Sequence, residues 1–127
     1  MKNNLQFIFS MAVFCLVFGC AVSAFGQIKT GGYKTVSVND AGVKEAANFA
    51  VETKAAELTQ EITLEGISKA ETQVVAGTNY RLCLQISAPS ENEDEDAVTV
   101  YIKTVIFKSL KGEFKITSWD EADCAEK

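Results

Sequence analysis

Hydrophobic and polar positions divide this chain of 127 residues into regions with different periodicities. Leu5 to Phe18 is an almost unbroken apolar run, interrupted only by Gln6 and Ser10. Gln27 to Tyr33 is a short leader containing Gly31-Gly32, and Thr35 to Val38 predicts a first short strand. Asn39 or Asp40 then offers an N-cap for a helix running to about Leu58. At 100° per residue, Val43, Ala46, Ala47, Ala50, Val51 and Leu58 fall within an arc of about 140°, the width of an amphipathic face. Most of that face is Ala, so the helix can lie close against a sheet. Phe49 sits at the edge of the arc, where it would seal one flank.

Four strands are predicted after the helix. Glu61 to Val75 alternates only loosely, and Gly66 suggests a bulge. Thr78 to Ile86 alternates cleanly, with Tyr80, Leu82, Leu84 and Ile86 on one face and Arg81, Cys83 and Gln85 on the other. One covered and one wet face fit that pattern. Ala97 to Phe107 is apolar on both parities, which predicts a central or doubly packed strand. Glu113 to Trp119 closes the set, with Phe114 and Ile116 on one face. Hairpin-length connections make each strand antiparallel to its predecessor. The expected architecture is α+β, a single N-terminal helix packed on a twisted antiparallel sheet of about five strands.

Charge and cysteine usage narrow the function classes. Lys2 ahead of the apolar run, and small residues at Val22, Ala24 and Gly26, form a secretory signal pattern too short for a comfortable membrane span. Cleavage is expected after Ala24 or after Gly26, giving a signal peptide at 1–26 and a domain at 27–127. An uncleaved anchor and lipoprotein processing at Cys20 are the alternatives, and the bulky Phe18 fits the latter poorly. The net charge is −5 for the whole chain and becomes −6 once Lys2 is removed with the signal. An acidic chain without a basic cluster is a poor partner for nucleic acid or an anionic membrane.

Cys83 and Cys124 are the cysteines outside the signal region, an even pair that suggests one disulfide, with two free thiols as the alternative. There is no histidine, and two cysteines alone make no zinc site. The acidic stretch Glu91-Asn92-Glu93-Asp94-Glu95-Asp96 lacks the spaced ligands and turn Gly of a calcium loop and reads as a solvated loop. No cofactor is implied. No nucleophile and base are spaced for catalysis, so the chain is read as a non-enzyme.

Between the second and third strands stands Gln73-Val74-Val75-Ala76-Gly77, an uncharged turn where polar residues are usual. Gly77 supplies a residue that tolerates positive φ. The motif resembles the first inhibitory hairpin of the cystatins, which block papain-like cysteine proteases. Its continuation, Thr78-Asn79-Tyr80, is similar to the stefins, the type 1 cystatins. Ile106-Phe107-Lys108-Ser109-Leu110 is similar to the stefins' second hairpin, and Gly31-Gly32 stands where the family keeps an N-terminal Gly. Asn48-Phe49-Ala50-Val51 is similar to the helix motif of plant cystatins. Secreted and plant cystatins carry Pro-Trp at the second hairpin, where this chain has Ser109-Leu110; Trp119, in the last strand, is assigned to packing.

The resemblance implies a cystatin-like fold and mechanical blockade of a protease cleft by one wedge. Gln27 to Thr30 would lie along the unprimed subsites, with Gly31 or Gly32 bending the chain away from the catalytic Cys. Val74, Val75 and Ala76 would enter the cleft, Gln73 and Gly77 would hold the tip's shape, and Ser109-Leu110 would supply a contact on the primed side. Lys108 and Lys111 flank Leu110, and Gly112 in place of the family's Pro-containing turn predicts a looser second hairpin. The implied partners are papain-like, cathepsin-like cysteine proteases. A monomer is expected, and a domain-swapped dimer is the alternative. A cystatin-fold binding or structural module without inhibitory activity is the alternative function.

Overall fold

The computed structural model describes residues 31–125. The signal segment, its cleavage points, Cys20 and the leader residues Gln27 to Thr30 lie outside the described residues. The described elements are β1 (Lys34–Thr35), α1 (Ala41–Leu58), β2 (Thr63–Val75), β3 (Gly77–Ala88), β4 (Val98–Lys108) and β5 (Phe114–Glu121). The strands form one sheet in the order β1-β2-β3-β4-β5, and every neighbouring pair is antiparallel. The α+β expectation therefore holds.

The helix begins where the Asp40 carboxylate accepts hydrogen bonds from the backbone N–H of Gly42 (2.9 Å) and Val43 (3.2 Å), satisfying two donors the helix leaves open. It ends as Thr59 takes a left-handed conformation (φ 52°) and its N–H turns back to the carbonyls of Ala55 and Ala56. Val43, Ala46, Ala47, Ala50 and Val51 are buried against Ala70, Tyr80, Leu82, Leu84, Ile86, Ile102 and Ile106 of the sheet. Each fully buried Leu or Ile contributes about 1.5–3 kcal/mol. Phe49 closes the flank by stacking on Phe114, with ring centroids 5.2 Å apart.

Leu58 departs from the expected apolar face: it is 52% exposed. It is the last residue of the helix, beyond the turns whose side chains reach the core. The first strand also differs, covering Lys34–Thr35 rather than 35–38. After Val36 donates to the Ala70 carbonyl, the chain turns at Ser37, whose carbonyl and hydroxyl accept from Asp40 and Asn39.

Register shifts explain the loose alternation of β2. One lies between Leu64 and Gly66, as the glycine suggested, and a second lies between Ile67 and Lys69. Each leaves a residue unpaired, so Leu64, Ile67 and Ala70, three apart, all reach the core side. The same device acts in β5. Ile106 pairs with Ile116 and Val105 with Ser118, so Thr117 is extra, and Trp119 joins Phe114 and Ile116 against the core.

The central strand is β3. β4 is interior but not doubly packed: Ile102, Thr104 and Ile106 are buried, whereas Tyr101 and Val105 on its other face are half-buried. Thr104 donates its hydroxyl to the Ser118 carbonyl at 2.7 Å, so its burial leaves no polar group unpaired. On the open face, Cys83 and Cys124 are joined by a disulfide, with Cα atoms 5.7 Å apart. The segment after β5 folds back over that face, Ala122 donating to the Tyr101 carbonyl, and Cys83 is only 3% exposed.

Candidate functional site

Two hairpin tips lie side by side at one end of the sheet. The pairs Gln73–Asn79, Val74–Thr78 and Val75–Gly77 make the β2–β3 connection as short as a hairpin can be, with Ala76 at its apex. Gly77 takes φ +118°, a conformation that L side chains rarely adopt. Across the hairpin the Asn79 amide donates to the Gln73 side-chain oxygen at 3.1 Å, stiffening the strands just behind the tip. Val74 and Ala76 are exposed, while Val75 is half-buried.

The next pair, Thr78–Lys108, places the end of β4 directly beside this hairpin. A Cβ added to Gly77 would stand 2.5 Å from the Lys108 carbonyl oxygen and 2.7 Å from the Phe107 ring. Only hydrogen fits there. The two hairpins are thus packed together through the glycine, which is itself buried.

The second tip, between β4 and β5, is better defined than its sequence suggests. Ser109 N–H donates to the Glu113 carbonyl (2.8 Å), Gly112 N–H donates to the Ser109 carbonyl (2.9 Å), and the Ser109 hydroxyl accepts from Glu113 N–H (3.1 Å). Gly112 at φ +88° permits the turn. All three bonds are made by Ser109, and they close the turn that lacks the family's proline. Lys108 is held by Glu45 of α1 at 3.1 Å and lies over the Phe114 ring at 4.9 Å, tying the hairpin's base to the helix. Leu110 projects from the turn, 84% exposed, and Val74 is 69% exposed. Among the described residues these are the two most exposed large hydrophobic side chains.

The N-terminal segment approaches the same end. β1 pairs Lys34 with Thr72 and Thr35 with Glu71, so the chain before it runs along β2 towards the first tip. A Cβ on Gly31 would lie 3.9 Å from the Val74 carbonyl oxygen, whereas Gly32 has open space around it. All nine residues singled out in the sequence as contact or shape residues, from Gly31 and Gly32 through Gln73 to Gly77 and on to Ser109 and Leu110, thus gather at one end. Asn79 and Lys108 also support the tips, by the amide bond to Gln73 and the contact with Gly77. Asn79 was accessible from hairpin register alone, since it faces Gln73; the contact of Gly77 with Lys108 is 31 positions apart in the chain and leaves no local signal.

Behind the tips, on the open face, Arg81 and Glu71 pair directly across β2 and β3, with Nε and Oε2 2.6 Å apart. The hydrogen bond from Arg81 holds the Glu71 carboxyl below its ordinary value of 4.5, and Glu71 in turn raises the guanidinium. Tyr33 lies over that guanidinium, 3.8 Å from ring centroid to Arg81 Cζ. A shallow cavity of about 420 Å³ beside this pair is lined by Lys69, Lys103 and the disulfide, not by either tip. Among the described residues no group of acids and cysteines is arranged to hold a metal ion.

Known proteins resemble this chain in sequence and fold. Residues 35–122 match the family model SQAPI, described as aspartic acid proteinase inhibitor. Salivary cystatin-L2 of the tick Ixodes scapularis is 34% identical over 120 residues, spanning 83% of this chain and 91% of that relative. The chain belongs to this family and to the cystatin superfamily. Among solved structures, a salivary cystatin from the soft tick Ornithodoros moubata superimposes on it with a TM-score of 0.58 at 25% identity, covering 72% of this chain and 97% of that one. A plant relative, cysteine proteinase inhibitor 1 of Actinidia chinensis var. chinensis, is 36% identical over 59 residues, or 46% of this chain and 51% of its own length. The single helix packed on a five-stranded antiparallel sheet is thus the fold this chain shares with the solved cystatin.

Proposed function

We propose that this cystatin is a secreted, reversible and competitive inhibitor of papain-like cysteine proteases. The observation that carries the reading is the pairing of Val74 and Leu110, the most exposed large apolar side chains described, on adjacent hydrogen-bonded tips. Exposed apolar groups on a preorganised edge suit insertion into a cleft, because burial is gained with little ordering cost. In this reading Val74, Val75 and Ala76 enter the cleft, Gln73 and Gly77 keep the tip in shape, and Leu110 makes the second contact over a turn closed by Ser109. Gly31 and Gly32 carry the leader past the catalytic cysteine. No peptide bond of the inhibitor meets the nucleophile, so the inhibitor is released intact. The Gln73–Tyr80 and Ser109-Leu110 motifs make the hairpins stefin-like, and residues 1–26 act as a signal peptide that a stefin would lack. Two relatives are named salivary cystatins, which suits a secreted chain; a monomer is the proposed state.

The test is a titration of residues 27–127 against papain with a fluorogenic peptide substrate. Competitive inhibition that dilution relieves, and that Val74→Asp or Val75→Asp weakens at least tenfold, is expected. Folded protein that leaves papain fully active at micromolar concentration overturns the proposal.

A second reading has its own observation: the matched family is described by inhibition of aspartic proteinases. Titration of pepsin under the same design separates the two. Inhibition of pepsin that is unchanged by Val74→Asp would place an aspartic-proteinase surface elsewhere on the chain.

A further inference from the structure

We infer that Tyr33, Arg81 and Glu71 form a clamp that aims the N-terminal segment along the sheet edge towards the hairpin tips. The inference rests on the reading above, in which that segment meets the protease. β1 contributes only two paired residues, Lys34 and Thr35, too short a ladder to set the direction of the chain before it. Tyr33 stands immediately upstream, on the open face, with its ring stacked on the Arg81 guanidinium. Glu71 opposite holds that guanidinium by accepting its Nε–H at 2.6 Å, and Lys69 approaches the other carboxylate oxygen at 4.0 Å. A planar cation gripped by a carboxylate gives an aromatic ring a fixed platform. The next residue upstream of Tyr33 is Gly32, and Gly31 lies against the Val74 carbonyl. The clamp therefore sits where the flexible Gly-Gly pair leaves the sheet. It sets the starting direction of a segment whose glycines otherwise lose more entropy on binding than any other residue.

Tyr33 is in this sense a positioning residue. Pre-aiming Gly31 and Gly32 spares ordering entropy when the complex forms, so its loss is felt mainly as faster dissociation. The experiment measures two properties of residues 27–127: backbone order of the Gly31 and Gly32 amides by 15N relaxation in the free protein, and inhibition of papain. Tyr33→Ala is expected to lower the order of both glycines and to weaken inhibition roughly 5- to 30-fold, the factor for one or two kcal/mol, while the unfolding midpoint changes little. Tyr33→Phe keeps the ring and restores both readouts. Unchanged glycine order in Tyr33→Ala overturns the clamp. So does loosened order with unchanged papain inhibition. A wild-type protein that orders Gly31 and Gly32 through Tyr33 but does not inhibit papain refutes the protease reading, and with it the purpose assigned to the clamp.

Discussion

Gly77 and Lys108 meet so closely that the first hairpin and the second are one packed unit: a Cβ on the glycine would come within 2.5 Å of the lysine's carbonyl oxygen. The obstacle is backbone, which cannot rotate aside. Gly77→Ala therefore combines that clash with an unfavourable φ of +118°. A loss of about 1–3 kcal/mol of stability is expected for such strain, read as a lowered midpoint in chemical denaturation. Papain inhibition should fall as well, because the adjacent strands must part. Gly112→Ala, at φ +88° with nothing within 4 Å, carries the conformational cost without the clash and should be milder on both counts.

Val74 and Leu110 separate binding from stability. Both side chains are mostly in solvent, so Val74→Asp and Leu110→Asp should each shift stability by no more than about 0.5 kcal/mol. Each buried aliphatic group lost from an interface is worth about 1.5–3 kcal/mol, a factor of ten or more in the inhibition constant. Thermal melts and papain titrations on the same samples check this. An equal change for Leu58→Asp, exposed at the far end of the helix, would show that exposure alone and not position governs the effect.

The Glu71–Arg81 pair makes a defined pH dependence. Glu71 ionises more readily in the folded chain than in the unfolded one, so its contribution is fully present above the ordinary carboxylate value of 4.5 and is lost as pH falls through its depressed folded value. Glu71→Gln should lower the melting temperature at pH 7 by a few degrees, consistent with about 0.2–1 kcal/mol for a partly exposed pair. As pH falls below 4.5 the gap between the two proteins should narrow. Melts across that range decide it, and a gap that stays constant down to pH 2 would show that the carboxylate's charge is not what stabilises.

Joining Cys83 to Cys124 spans 41 positions of chain, and the chain-entropy model assigns such a loop up to roughly 4 kcal/mol. The Cys83→Ser/Cys124→Ser protein should unfold at markedly lower denaturant concentration than the oxidised wild type. The wild type under reducing conditions should approach it. Inhibition at a temperature where both stay folded should change little, since neither cysteine lies at the tips.

Where the chain keeps strict periodicity, its structure was legible. The face carrying Val43, Ala46, Ala47, Ala50 and Val51 and the alternation from Tyr80 to Ile86 needed only counting, because helix and strand periods are set by local geometry. Counting fails at bulges. Trp119 and Phe114 are of opposite parity yet share a face, since Thr117 is an extra residue that Ser118 and Thr117 secure with side-chain bonds to Val105. Leu58 had the right phase but stood past the end of the contact. At the candidate site, Gln73 to Gly77 was conspicuous as apolar residues in a turn. The part played by Ser109 was not, since a hydroxyl that closes a turn has the same sequence signature as one that faces a partner.

The disulfide has one more consequence, for a molecule proposed to spend its working life beside proteases. The exposed acidic loop at 89–97 is the longest irregular stretch among the described residues between strands and lies between Cys83 and Cys124. A cut in that loop leaves the Val74 hairpin on one fragment and the Leu110 hairpin on the other. The sulfur bridge still ties the fragments together, and the β3–β4 ladder holds them in register. The nicked protein remains a single covalent body with both halves of its edge in place, so severing the backbone in that exposed loop need not disarm it.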